Sequence, residues 1–153
     1  MSFLSVPSPV GVLTLFARGD ALVAIEWGRA PEDGGAATPP VLREAATQLS
    51  QYFDREREDF DLPLMPAGTE HERAVWDAML RIPYGAQRTY GDIAGEVGSV
   101  ARAVGGACGR NPIPIVIPCH RVVGANGRMT GFSGGEGVET KQWLLRHEGA
   151  LLT

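Results

Sequence analysis

Apolar and polar positions repeat with two different periods along this chain, and the changes of period mark its elements. Residues 11–17 (GVLTLFA) and 21–27 (ALVAIEW) are strand-like runs, joined by Arg18-Gly19-Asp20 as a hairpin turn. Residues 28–40 are rich in Gly, Pro and Ala and predict a loop. Pro40 suits the first turn of a helix, where no N–H is needed, and Leu42, Ala45, Leu49, Tyr52 and Phe53 then recur on one face. The charged run 54–61 predicts a solvated connection, and residues 62–66 (LPLMP) an extended edge or linker.

A second unit starts near Gly68. Thr69 and Glu72 form a capping-box pair, followed by Val75, Met79 and Ile82 at helical spacing, and Pro83 and Gly85 end that helix. Residues 90–97 (YGDIAGEV) predict a short helix that stops at Gly98. Ser99 is placed to cap a further helix through about Cys108. Two short helices about a glycine-containing turn make a helix-turn-helix pattern. Residues 113–117 (IPIVI) predict a short apolar strand that Pro118 stops, and a glycine-rich loop follows. A last helix, about 139–148, buries Trp143, Leu144 and Leu145 and is closed by Gly149. The fold class is therefore α+β (mixed α/β), in two units, 1–67 and 68–153.

Composition narrows the class without naming a function. The 153 residues are 44% hydrophobic and 21% charged, as in globular proteins. No apolar run approaches the ~18 residues that span a bilayer, so no membrane partner is expected. The N-terminus has no basic stretch ahead of its apolar residues, which argues against a secretory signal. Cys108 and Cys119 could form one disulfide at most, which fits a reducing cytoplasm. With His71, His120 and His147 they match no zinc spacing, so no metal site is expected. Net charge is −4, yet residues 81–130 carry six arginines against Asp92 and Glu96, a local +4. Charge alone does not separate a phosphate-facing surface from a solvated arginine-rich one.

Cys119 is the candidate nucleophile. It follows the apolar segment and the proline that stops it, a place where a side chain is held but can face a cleft. A neutral thiol attacks poorly, and a neighbouring imidazole or cation converts it to thiolate; His120 and Arg121 supply one of each. The alternative is a buried, inert cysteine, the commoner fate of free Cys. Glu148 is the candidate to orient His120, because its place in the last helical turn is unfavourable for a negative charge.

The stretch 111–122 (NPIPIVIPCHRV) closely resembles the active-site motif of the O6-alkylguanine-DNA alkyltransferases. Residues 130–135 (TGFSGG) and 143–149 (WLLRHEG) are similar to that family's downstream motifs, and 90–94 (YGDIA) and 102–107 (RAVGGA) to its DNA-binding helices. The resemblance implies a small ribonuclease-H-like N-terminal domain and a C-terminal winged-helix-like helix-turn-helix domain carrying the active site. It implies direct-reversal repair, in which Cys119 takes the alkyl group of a flipped-out O6-alkylguanine, and of O4-alkylthymine, once and irreversibly. His120 would deprotonate Cys119 through a bridging water, Glu148 would orient His120, and Asn111 would brace the active-site turn. Arg102 would fill the gap left by the flipped nucleotide and Tyr90 would help rotate it out. Ala103, Gly105, Gly106, Arg110 and Arg121 would meet DNA. Phe132, Ser133 and the main chain at Val122 would line the base pocket. The partner implied is double-stranded DNA containing alkylated guanine; the protein would act as a monomer with no cofactor.

The turn 98–100 is about two residues shorter than usual in that family, and Glu70-His71-Glu72 stands where Pro-Phe-Gln is common. Cys108 is read as packing. Two other functions compete with this one. A lesion sensor that binds without transfer would carry another residue at position 119. A Cys-His hydrolase would need an oxyanion hole and has no use for the helix-turn-helix.

Overall fold

The computed structural model describes residues 1–30, 38–129, 135 and 137–151. Its backbone divides into two compact units, Met1–Ala67 and Gly68–Thr153.

In the first unit, β1 (Ser2–Val6), β2 (Leu13–Arg18) and β3 (Ala21–Trp27) form an antiparallel sheet in the order β1-β2-β3. The β2–β3 hairpin is the one the alternation predicts. β1 was not expected, because SFLSV is too short and too mixed to stand out. A register shift between Phe16 and Ala17 pairs Ala17 with Leu22 while Phe16 pairs with Ala24. The bulge re-aims the strand, and Leu22 and Ile25 both reach the core although they are three residues apart. The 62–66 segment docks on this sheet: the Leu22 N–H donates to Pro63 O at 2.9 Å and the Met65 N–H donates to Leu22 O at 2.9 Å. α1 (Pro40–Phe53) closes the unit with Val41, Leu42, Ala45, Leu49 and Tyr52 buried, the stripe expected from their spacing.

The second unit contains α2 (Glu70–Leu80), α3 (Tyr90–Val97), α4 (Ala101–Gly109) and α5 (Val138–His147), with a two-residue parallel ladder between β4 (Arg88–Thr89) and β5 (Val122–Val123). The Thr69/Glu72 capping box forms on α2, and Thr89 and Asp92 make a second one on α3. Gly98, at φ 68°, ends α3 in the left-handed conformation that glycine adopts without strain. The Trp76 indole passes so close to Gly68 that a Cβ there would lie 2.5 Å from its ring. The same indole Nε1 donates to Ala107 O at 2.9 Å, tying α2 to α4.

Two expectations are corrected here. Ser99 does not cap α4: the N-cap is Val100, with no side-chain cap hydrogen bond. Residues 113–117 are not a strand. Ile117 N–H donates to Ile113 O at 2.9 Å, Pro114 and Ile117 bridge, and Ile115 sits at φ 74°. With prolines at 112, 114 and 118 the segment lacks the N–H groups a ladder needs, and it folds into a compact buried turn instead.

Candidate active site

The buried turn at 111–118 is built around Asn111. Its Nδ2 donates to Ile117 O at 2.9 Å and its Oδ1 accepts from the Ile113 N–H at 3.0 Å. Ile115 is a β-branched residue in the left-handed region, a strained conformation that persists only where the surroundings over-determine it. Pro118, at φ −81° and ψ 66°, is the centre of an inverse γ-turn, and the Cys119 N–H donates across it to Ile117 O at 2.8 Å. The chain then enters a 3-10 turn, Cys119–Arg121, and passes into β5. The sulfur's position is thus set by backbone bonds on both sides.

His120 is fully buried, and its Nε2 lies 2.7 Å from Glu148 Oε2. A carboxylate only accepts, so Nε2 carries the proton and Nδ1 keeps its lone pair. Nδ1 is buried with no protein partner among the described residues. Glu148 also binds Arg121, Oε1 to Nε at 2.8 Å and Oε2 to Nη2 at 3.0 Å. Arg121 Nη1 donates to Ile82 O at 2.7 Å, and its guanidinium lies over the Tyr84 ring. Glu148 follows the last turn of α5 and is backed by Gly85, where a Cβ would come 3.3 Å from the Glu148 carbonyl.

The electrostatics describe a resting site. Burial pushes the Cys119 thiol up, and the Asn111 amide and the Lys141 charge only partly offset this. Burial lowers the His120 imidazole against the pull of Glu148. The site therefore holds a thiol beside a neutral imidazole at neutral pH. Burial alone would raise Glu148, but its bonds from His120 and Arg121 win, and it sits at about 2. The expectation that Arg121 activates the thiol as a neighbouring cation is corrected, because its guanidinium serves Glu148.

Lys141 was missed at sequence level. Its side chain is fully buried; Nζ donates to Val122 O at 2.6 Å and reaches the Tyr90 hydroxyl at 3.5 Å. The α5 spacing alone makes it a polar position beside the apolar stripe. The signal that could have found it is the 140–145 pattern, in which Lys141 falls on the same face as Leu144 and Leu145. A lysine on a buried face is rare without a purpose. The Val122 main chain, expected at the base pocket, and Tyr90, expected to help turn the nucleotide out, are brought together by this ammonium. Phe132 and Ser133 lie outside the described residues.

On α4, Arg102 is exposed, and Ala103, Gly105 and Gly106 are partly exposed. A Cβ at Gly105 would meet nothing within 4 Å. Packing inside the protein therefore does not explain that glycine, which costs a helix about 0.5–1 kcal/mol relative to alanine.

Of the arginines expected at DNA, Arg121 is placed in the interior, while Arg110 remains exposed at the end of α4 with an acid as partner. Arg121 is buried against Glu148. Arg110 Nε bonds Glu72, and its guanidinium lies over Gly106. Arg81 and Arg88 share Glu96, and Arg88 also faces Asp92. Of the six arginines in the basic segment, only Arg102 and Arg128 pair with no acid among the described residues.

The family profile described as 6-O-methylguanine DNA methyltransferase, DNA binding domain, matches residues 70–150, and its ribonuclease-like domain matches residues 3–66. The methylated-DNA–protein-cysteine methyltransferase of Methanosarcina acetivorans is 41% identical over 94% of this chain and 95% of its own length. The constitutive enzyme of that name from Bacillus subtilis is 39% identical over 95% and 94%. Among solved structures, Mycobacterium tuberculosis OGT in complex with DNA superposes with a TM-score of 0.85 at 41% identity, covering 97% of this chain and 92% of that one. The chain belongs to the 6-O-methylguanine DNA methyltransferase family.

Proposed function

We propose that this protein repairs alkylated DNA by direct reversal, transferring the alkyl group of O6-alkylguanine irreversibly to its own Cys119. The observation that carries this reading is the buried series Cys119, His120 and Glu148. In it the carboxylate holds the imidazole proton on Nε2 and leaves Nδ1, buried and without a protein partner among the described residues, as the base for the neighbouring residue's thiol. The thiol proton passes to His120 Nδ1, through a bridging water. The sulfur then forms a bond to the alkyl carbon, the carbon–O6 bond breaks, and its electron pair leaves with the guanine. The base takes back, through the water, the proton that His120 received and returns to the duplex as an intact guanine nucleotide, while the thioether stays on the protein.

Burial suits this order of events. A thiol kept neutral at rest is protected from adventitious alkylation and oxidation, and is ionised only when the substrate arrives. Lys141 supports the thiolate electrostatically and orients Val122 O and Tyr90. Asn111 braces the turn that holds the sulfur. A base within a duplex cannot reach a buried sulfur, so the nucleotide must leave the stack, at a cost of a few kcal/mol. Arg102 takes its place, Tyr90 helps turn it out, and the Ala103–Gly105–Gly106 face of α4 allows the minor groove to approach. Phe132 and Ser133 complete the pocket.

In this reading residues 1–67 are a ribonuclease-H-like domain and 68–153 the DNA-binding and methyltransferase domain. The protein acts as a cytoplasmic monomer on double-stranded DNA, and O4-alkylthymine is a second substrate. No helix among the described residues is long and apolar enough to cross a membrane. Mass spectrometry after incubation with an O6-methylguanine duplex tests the reading. One methyl group per protein, lost in Cys119→Ala, is expected; an unmodified Cys119 or repeated turnover would overturn it.

A further inference from the structure

The first two turns of α2 carry the side chains that hold α4. Glu72 bonds Arg110, the residue that caps the C-terminal end of α4. Trp76 Nε1 bonds Ala107 O in its last turns. At the other end, His71 Nε2 lies 2.8 Å from Ser99 Oγ, in the turn that leads into α4. Ser99 is the residue expected to cap this helix, and its hydroxyl is engaged with His71 instead. Val100 takes the N-cap position with no side-chain hydrogen bond and stands 64% exposed. The turn itself is short: the Ser99 N–H donates to Ala94 O at 2.9 Å, and Val104 N–H is already bonded to Val100 O at 3.1 Å. The His71–Ser99 bond anchors the turn that leads into α4 by a side-chain hydrogen bond, three residues before its first-turn arginine, Arg102.

We propose that His71 is a positioning residue for the DNA substrate, its hydrogen bond to Ser99 tying the α3–α4 turn to α2 and holding the Arg102-bearing first turn of α4 in register. The inference rests on α4 being the helix that meets DNA. With no side-chain cap at Val100, the first N–H groups of α4 have no such partner, and the tied turn before it is what limits fraying of this end. Fraying here would move Arg102 relative to the duplex and leave Cys119, held by a separate set of bonds, where it is. The defect should therefore depend on the duplex.

Ser99→Ala removes the hydroxyl, and His71→Phe keeps a ring while removing its nitrogens. Each is expected to slow methyl transfer from an O6-methylguanine duplex roughly 10-fold, about the worth of one hydrogen bond. The double variant should be no slower than either single one, and transfer from free O6-methylguanine base should keep its wild-type rate. Amide exchange at 99–104 should quicken in both. Unchanged duplex rates, equal slowing on both substrates, or effects of the two substitutions that multiply would each overturn the proposal. Wild-type protein that alkylates Cys119 from neither substrate would overturn the functional reading instead, and the exchange rates would then decide the latch alone.

Discussion

Glu148 satisfies two buried groups at once, one that must stay charged and one that must stay neutral. Arg121 brings a permanent charge that only a carboxylate can neutralise in place, and His120 needs an acceptor that keeps its proton on Nε2. Glu148→Gln keeps the shape and removes the charge. It should cost about 3 kcal/mol of stability, since one member of a buried pair is left uncompensated. Alkyl transfer should fall roughly 100-fold or more, because the imidazole base is no longer held in one tautomer. Denaturant midpoints and single-turnover rates check the two effects separately.

The same residues set the acid limit. Burial first, with Arg121 and Lys141 adding to it, depresses the His120 value, so the unfolded chain takes up that proton first, and stability starts to fall below about 6.5. Glu148 is held at about 2 against an ordinary 4.5, so its contribution is full above 4.5 and is lost as pH falls toward 2. Urea midpoints measured from pH 8 to pH 3 should decline in two stages. In Glu148→Gln the lower stage should shrink, leaving the part that comes from Glu72 and Asp92, which their capping bonds also hold down.

At the scale of elements, two glycines distinguish packing from function. Gly68 has the Trp76 ring against its face, so Gly68→Ala must displace a large buried side chain and should destabilise the protein by about 1–3 kcal/mol. Gly105 lies mid-helix with open space around it. Gly105→Ala should leave stability equal or raise it by up to about 1 kcal/mol, because alanine is the better helix former. It should still weaken duplex binding, since the added methyl occupies the space a groove needs. Thermal unfolding together with a duplex-binding isotherm separates the cases, and a Gly105→Ala protein that binds duplex normally would remove α4 from the interface.

For the whole molecule, charge counted along the sequence misleads. Residues 81–130 sum to +4, but Arg81 and Arg88 share acids on α3, Arg110 pairs with Glu72, and Arg121 is buried. Duplex affinity should accordingly depend on salt with a shallow slope, near −0.9 for each phosphate contacted, from a few contacts only. Arg88→Ala should leave that slope unchanged and Arg102→Ala should flatten it by about one, as binding at several salt concentrations will show. The sequence alone determined what depends on neighbours along the chain. The period of α1, the Thr69/Glu72 capping box, the glycine ends of α3 and α5, and the Cys119-His120 pair with Glu148 as its partner were all legible, because caps, stripes and motifs are local. The tertiary structure decided what depends on partners far apart in the chain. Lys141 entered the site through contacts 19 and 51 residues away, and Arg121 was drawn into the interior by an acid 27 residues away. Ser99 gave up its cap to a histidine 28 residues earlier. A hydrogen bond or ion pair of this kind is won by whichever group folding brings within reach, and no periodicity along the chain encodes that distance.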